Sequence, residues 1–184
     1  MILNQMFTPR YWNMVQCMNE ALLVLYRHKT WATLALIDFC KGVDDAVLDA
    51  TTPGTYGTIR DTLRHLVRSE EGYLARVTGK RHSEPLGDQP VSLDELGERI
   101  RRMGPHWEAA AQDPDLARRR VTTDDGWRLA GGVVMAQAIH HADDHRTHVM
   151  SVLSAHGVEG PDLDIWCYAD ENGEVQHVPV AQSE

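Results

Sequence analysis

The sequence predicts an all-α protein built as a four-helix bundle, and three observations support that fold class. Four long segments carry apolar residues at the three- and four-residue spacing of amphipathic helices. Turn signals rich in glycine, proline and aspartate separate these segments. With 42% hydrophobic and 24% charged residues, a chain of 184 residues can bury one substantial core. We therefore expect the four helices to pack together as a single domain.

The first helix is predicted from about Met18 to Lys41, with Gly42 as its stop signal. Its apolar positions include Leu22, Leu25, Ala32, Leu36 and Phe39. Residues before Met18 lack clear periodicity. We expect residues 1–17 to be either a packed leader or an extension upstream of a second possible start at Met18.

The second helix is predicted to begin at Thr58, where Thr58 to Asp61 resembles a capping box, and to run to Thr78 before Gly79. Six apolar residues share its core-facing side: Ile59, Leu63, Leu66, Val67, Leu74 and Val77. A neighbouring stripe consists of small or polar residues, namely Thr58, Thr62, His65, Ser69 and Gly72. We expect the helix to flank a cavity along that stripe.

Two local signals follow the second helix. A capping box from Ser92 to Glu95 predicts a third helix that reaches about Gln112, where Asp113-Pro114 ends it. Residues 120–129 then alternate in polarity around an Asp-Gly pair, which is typical of a small hairpin.

The last two helices are predicted near the C-terminus. The fourth spans roughly Gly132 to His156, and residues 162–169 indicate a short fifth helix. Trp166 and Tyr168 on that short helix are expected to close one end of the core.

The fourth helix carries the most informative feature of the chain, a pair of histidines at His141 and His145. Residues four apart on a helix are neighbours at about 5–6 Å, so both rings can reach one metal ion. They belong to a stripe with the spacing of a buried helix face: Val134, Ala138, His141, His145, His148 and Val152. An interior imidazole needs a partner for each ring nitrogen, and a metal on one of them is one solution. A core histidine bonded to carboxylates or to the backbone is the alternative.

Charge and cysteine content exclude several classes of function. The net charge of −9 argues against a nucleic-acid partner or an anionic membrane surface. Cys17, Cys40 and Cys167 form no C-x-x-C motif, so neither a disulfide framework nor a cysteine zinc site is indicated. This cysteine pattern fits a reducing compartment, so we expect a cytoplasmic protein. The apolar stretch from Ala21 to Tyr26 is too short and wrongly flanked for a signal peptide, and no segment approaches the roughly 20 apolar residues of a membrane span.

The sequence resembles the DinB/YfiT-like family of proposed metal-dependent enzymes, which are compact four-helix bundles. The matching residues are Trp31-Ala32-Thr33, the segment from Thr58-Ile59-Arg60 to His65, His141-x-x-x-His145-Arg146, Leu153, Gly157, Pro161 and Asp164. The similarity covers about residues 18–170, which we take as the bundle domain. Residues 171–184 are then a C-terminal tail.

The resemblance implies a site of three histidines, with His65 joining His141 and His145. From the residues alone, an isolated histidine such as His65 is more typical of a surface or hydrogen-bonded position. The family metals are usually zinc or nickel, and imidazole suits both.

Two further residues lie next to these ligands in the sequence. The family often has His-Arg-Gly-Gln where this chain has His145-Arg146-Thr147-His148. His148 could be a fourth ligand, a proton shuttle or a packed polar residue, and we favour a supporting role beside the ligands. Asp144 either orients an imidazole or belongs to a solvated acidic turn.

Three imidazoles leave a metal with an open coordination position, which is typical of catalytic sites. The first hypothesis is an enzyme that activates a thiol or water for reaction with a small-molecule substrate. The resemblance implies a transferase or isomerase that uses a low-molecular-weight thiol. A metal-dependent hydrolase and a non-catalytic, stress-associated metal-binding bundle are the alternatives. A homodimer is expected on the resemblance alone.

Overall fold

The structure is a computed structural model that describes residues 9–87, 89–176 and 178. Its elements in chain order are α1 (Pro9–Cys40), α2 (Asp45–Leu48), α3 (Ile59–Thr78), α4 (Leu93–Gln112), α5 (Pro114–Arg118), β1 (Arg120–Thr122), β2 (Arg128–Ala130), α6 (Gly131–Ala155) and α7 (Ile165–Glu171). The four long helices are α1, α3, α4 and α6, which confirms the predicted all-α bundle.

The four long helices close into a bundle in which each contacts two neighbours most extensively. Helix α1 packs mainly on α4 and α3 mainly on α6, while contacts between α3 and α4 and between α1 and α6 complete the ring. The core between them includes Tyr26, Leu36, Leu66, Trp107 and Val149, all fully buried. None of the described helices is long and apolar enough to cross a membrane.

Helix α3 forms as its local sequence predicts. The Thr58 side chain accepts a hydrogen bond from the Asp61 backbone N–H, which satisfies one of the free donors at the helix start. Gly79 ends the helix with a φ of 77°, a left-handed conformation that favours glycine. All six residues of the predicted core-facing side are fully buried.

The elements between α3 and α6 also follow local signals. Ser92 accepts from the Glu95 N–H at the start of α4, and that helix ends at Gln112 as predicted. Strands β1 and β2 pair antiparallel around Gly126, whose φ is 89°. The predicted hairpin is therefore confirmed.

Some predicted boundaries were wrong. Helix α1 begins at Pro9 rather than near Met18, because a regular backbone continues through a stretch whose apolar pattern is weak and a proline is well tolerated at a first helical position. The backbone of residues 9–17 is thus helical, and residues 1–8 lie outside the described part. Helix α7 begins at Ile165, three residues after the start predicted at residue 162. The reason is that Asp164 caps the helix by accepting a hydrogen bond from the Cys167 N–H.

Two short helices and one side chain also differ from the sequence prediction. Helices α2 and α5 were missed, because four or five residues are too short to show a periodicity. Tyr168 is buried as expected, but Trp166 is 74% exposed and does not close the core. The short helix presents only one of its two aromatic residues to the bundle.

Candidate metal centre

The three histidines predicted to form a site come together where α3 packs on α6. His65 lies on α3, and His141 and His145 lie one turn apart on α6. Their candidate ligand atoms all lie within 4.8 Å of one another. The Nε2 atoms of His65 and His141 are 3.1 Å apart. The described structure therefore brings all three imidazoles into one cluster.

The cluster sits at the edge of the bundle core. His145 is buried, whereas His65 and His141 are half-buried. Ala138 and Ala142 on α6 are fully buried, and their small side chains suit a close approach of the two helices. One side of the cluster thus faces the packed interior and the other remains reachable from outside.

The environment keeps these imidazoles neutral. Burial, followed by the repulsion of His145 and His65, lowers the pKa of His141 to about 4. Burial, followed by the repulsion of His65 and His148, lowers the pKa of His145 to about 4. The pKa of His65 is also lowered, mainly by burial and then by the charge of Arg68. Near pH 7 each ring therefore has a lone pair to offer.

The donor set fits a divalent metal ion. Two imidazole nitrogens on one tetrahedral zinc stand roughly 3.3 Å apart, given bonds of about 2.0–2.1 Å, and the measured separation of His65 Nε2 and His141 Nε2 is 3.1 Å. The buried Nδ1 atoms of His141 and His145 have no hydrogen-bond partner among the described residues. Neutral imidazoles are ligands that zinc, nickel and neighbouring transition metals accept. The three residues could therefore hold a metal ion.

Two tyrosines beside the cluster were missed by the sequence analysis. The hydroxyl of Tyr56 lies 3.0 Å from His65 Nδ1, and its ring stacks on His65 at 4.2 Å and meets His145 edge-on at 5.0 Å. Tyr56 precedes α3, so no helical spacing links it to the ligands. Tyr73 lies 5.5 Å from the His141 ring. Its position eight residues after His65 places it on the same side of α3, a relation that the helical period could have indicated.

The two predicted supporting residues occupy different surroundings. The His148 ring is 5.3 Å from the His145 ring, and its buried Nδ1 has no partner among the described residues. It lies outside the group of mutually close ligand atoms. Asp144 is exposed, and its Oδ2 lies 3.3 Å from His140 Nε2, a pair on the outer surface of α6. Supporting roles for His148 and Asp144 stay predictions.

A cavity of about 750 Å³ adjoins the cluster along α3. His65, Ser69, Gly72 and Tyr73 are among the residues that line it. The small and polar stripe on α3 was predicted to flank a cavity, and three of its members do so. Thr62 is buried instead.

Comparisons with known proteins agree with this fold. The DinB family model matches residues 18–176. No curated protein matches the chain. The chain is similar to a solved structure, the crystal structure of a DinB-like protein from Bacillus cereus ATCC 10987, with a TM-score of 0.61 at 19% identity. That match covers 78% of this chain and 95% of the other. The match of the family model over most of the chain shows that it belongs to the DinB family.

Proposed function

We propose that the protein is a metal-dependent enzyme that acts on a small molecule, with His65, His141 and His145 holding zinc or nickel. The observation that carries this proposal is the convergence of three neutral imidazoles beside a cavity. The cavity measures about 750 Å³, within the roughly 300–1,000 Å³ typical of small-molecule sites. An ion bound there would lower the pKa of a thiol or water and so supply a nucleophile near neutral pH.

The described protein side chains support an external nucleophile. Cys40 is fully buried, and burial raises the pKa of its thiol to about 12. Cys167 lies on α7, where burial and nearby carboxylates raise its pKa. Neither thiol lines the cavity. The nucleophile would therefore come from outside the chain, either as a low-molecular-weight thiol that serves as a second substrate or as water. The family resemblance is what favours the thiol-dependent transferase or isomerase.

The chain's own residues would bind and orient the reactants. Tyr56 holds the His65 ring by stacking on it and by its contact with Nδ1. Ser69 and Gly72 line the cavity beside His65, and because both residues are small they leave room for a substrate. Tyr73 lies on the same wall, next to His141. A hydrolase would use the same residues, with water in place of the thiol.

A second candidate function rests on His148. Its ring lies 5.3 Å from His145 and carries a buried, unpartnered Nδ1. If His148 supplied a fourth nitrogen, the metal would have a complete set of ligands, as structural sites do. The protein would then be a non-catalytic metal-binding bundle.

Metal analysis by plasma emission tests the site. We expect one divalent ion per chain in the native protein and none in the His65→Ala, His141→Ala or His145→Ala variants. His140→Ala is the matched control, because His140 is exposed on the same helix. Full occupancy in His65→Ala would overturn the ligand set, and loss of the metal in His148→Ala would favour the four-ligand bundle.

An activity screen tests the reaction. The metal-loaded protein is offered epoxides and haloaromatic compounds with and without a low-molecular-weight thiol, and separately esters and amides. We expect thiol-dependent turnover of an electrophile that His141→Ala and His145→Ala abolish. Turnover that survives in those variants would rule out the proposed mechanism.

A further inference from the structure

The cavity beside His65 is a groove that follows one side of α3. His65, Ser69, Gly72, Arg76 and Gly79 all line it, and they succeed one another at steps of three and four residues. Such steps mark a single helix face, and fourteen residues of helix span about 21 Å. The groove therefore reaches from the histidine cluster to the segment that follows α3.

The carboxylates of the groove wall are already neutralised. Glu71 accepts a hydrogen bond from Arg99 Nη1 at 2.8 Å and another from the Ser83 hydroxyl at 2.7 Å. Asp124 accepts from Arg76. Each acidic group on the wall thus has a guanidinium partner, so the carboxylates contribute little negative potential to the groove.

The far end of the groove carries additional positive charge. Lys80 and Arg81 line it, are exposed, and form no ion pair within the described part of the chain. A different cation serves the C-terminal end of α3, because Arg119 Nη1 donates a hydrogen bond to the Thr78 carbonyl oxygen at 3.4 Å. In a chain of net charge −9, this local reversal of sign favours an anion.

We propose that the groove binds an elongated small molecule whose carboxylate or phosphate group is held by Lys80 and Arg81, with its other end beside His65. Guanidinium and ammonium groups are the usual protein partners of these anions. The placement of the second end rests on the proposed function, whereas the anion site at Lys80 and Arg81 does not. The substrate class is therefore an acidic one, in spite of the acidic character of the whole protein.

Titration calorimetry with defined probes tests the proposal. The probes are S-(2,4-dinitrophenyl)glutathione, which carries two carboxylates, its dimethyl ester, which keeps the amino group but carries no carboxylate, and inorganic phosphate. We expect the acid to bind more tightly than the diester, and its affinity to fall with added salt. The Lys80→Gln/Arg81→Gln variant should bind the acid about tenfold more weakly, the loss expected for two partly exposed charge contacts.

The matched control is Arg118→Gln/Arg120→Gln, which removes two exposed cations outside the groove and should leave binding unchanged. Gly72→Leu tests the length of the ligand, because a Cβ there meets nothing closer than Arg76 Nη1 at 3.4 Å. That variant should lose affinity for the long probe and keep its affinity for phosphate. Equal binding by the Lys80/Arg81 variant and the native protein would overturn the proposal.

Two other outcomes would also overturn it: equal affinity for the acid and the diester, and no binding of any anionic probe by the native protein. The His65→Ala variant separates this inference from the proposed function. If His65→Ala keeps its metal while Lys80 and Arg81 still govern anion binding, the proposed metal site fails and the anion site stands.

Discussion

The hydroxyl of Tyr56 lies 3.0 Å from Nδ1 of His65. This contact occupies one ring nitrogen of His65, and the other, Nε2, lies 3.1 Å from His141 Nε2. A hydrogen-bonded partner on the far nitrogen fixes the orientation and tautomer of a histidine ligand. Tyr56 is therefore a positioning residue for the candidate site.

Replacing the Tyr56 hydroxyl should weaken metal binding. Tyr56→Phe keeps the stacked ring and removes the contact with Nδ1, so we expect the affinity to fall about tenfold or more. Competition with a chromophoric chelator measures this directly. Tyr73→Phe is the control, since the hydroxyl of Tyr73 makes no contact with a ligand nitrogen in the described structure. Equal affinities in Tyr56→Phe and the native protein would contradict a positioning role.

Removing the metal should lower the melting temperature without unfolding the protein. The apolar core extends through all four long helices, and the histidine cluster lies at its edge, so most of the buried area is independent of a bound ion. Far-ultraviolet circular dichroism before and after chelation gives the measurement. Loss of the helical signal at 25 °C would show instead that metal binding and folding are coupled, as they are in small zinc modules.

The metal-free protein should lose stability as the pH falls. The pKa values of His141 and His145 are about 4 in the folded state, against about 6.5 in an unfolded chain. Below pH 6.5 the unfolded state therefore binds protons that the folded state does not, and the folded state is disfavoured progressively down to pH 4. Urea unfolding midpoints should fall between pH 7.5 and 5.

In the His141→Gln variant the urea unfolding midpoint should depend less steeply on pH, because one of the two groups with a lowered pKa is gone. His156→Gln serves as the control, since His156 is exposed. An unchanged slope in His141→Gln would mean that other groups cause the acid sensitivity.

Replacing only one member of the buried ion pair between Lys29 and Glu70 should strongly destabilise the protein. Their side chains are 1% and 2% exposed, and the Lys29 ammonium lies 5.0 Å from the Trp107 ring centroid. Glu70→Gln leaves that buried ammonium without its counter-charge, so we expect a loss of about 3–5 kcal/mol in the free energy of unfolding. Urea denaturation measures the loss.

The double variant Lys29→Met/Glu70→Leu should recover most of that stability, because an apolar pair replaces both charges. Arg146 also donates to the Lys29 carbonyl at 3.4 Å and to the Thr33 hydroxyl at 3.2 Å, and these contacts remain in the variant. A double variant as unstable as Glu70→Gln would show that the two charges also support the surrounding packing.

Local sequence determined the bounds of α3 and α4, the hairpin and the histidine pair on α6. Thr58 and Ser92 cap their helices through residues three positions away, and His141 and His145 are joined by a single turn. Each of these relations lies within a few residues, so the backbone period and the capping chemistry suffice to predict it. The residues alone left His65 open, and the family resemblance supplied it.

Only the tertiary structure decided which distant side chains meet. His65 and His141 are 76 positions apart in the chain, and their nitrogens approach to 3.1 Å because α3 packs on α6. Tyr56 reaches His65 from a loop, and Lys80 and Arg81 share a groove with His65. The exposure of Trp166 and the burial of Lys29 follow from the same packing. Such contacts depend on the placement of whole helices, which the apolar pattern of any one helix does not specify.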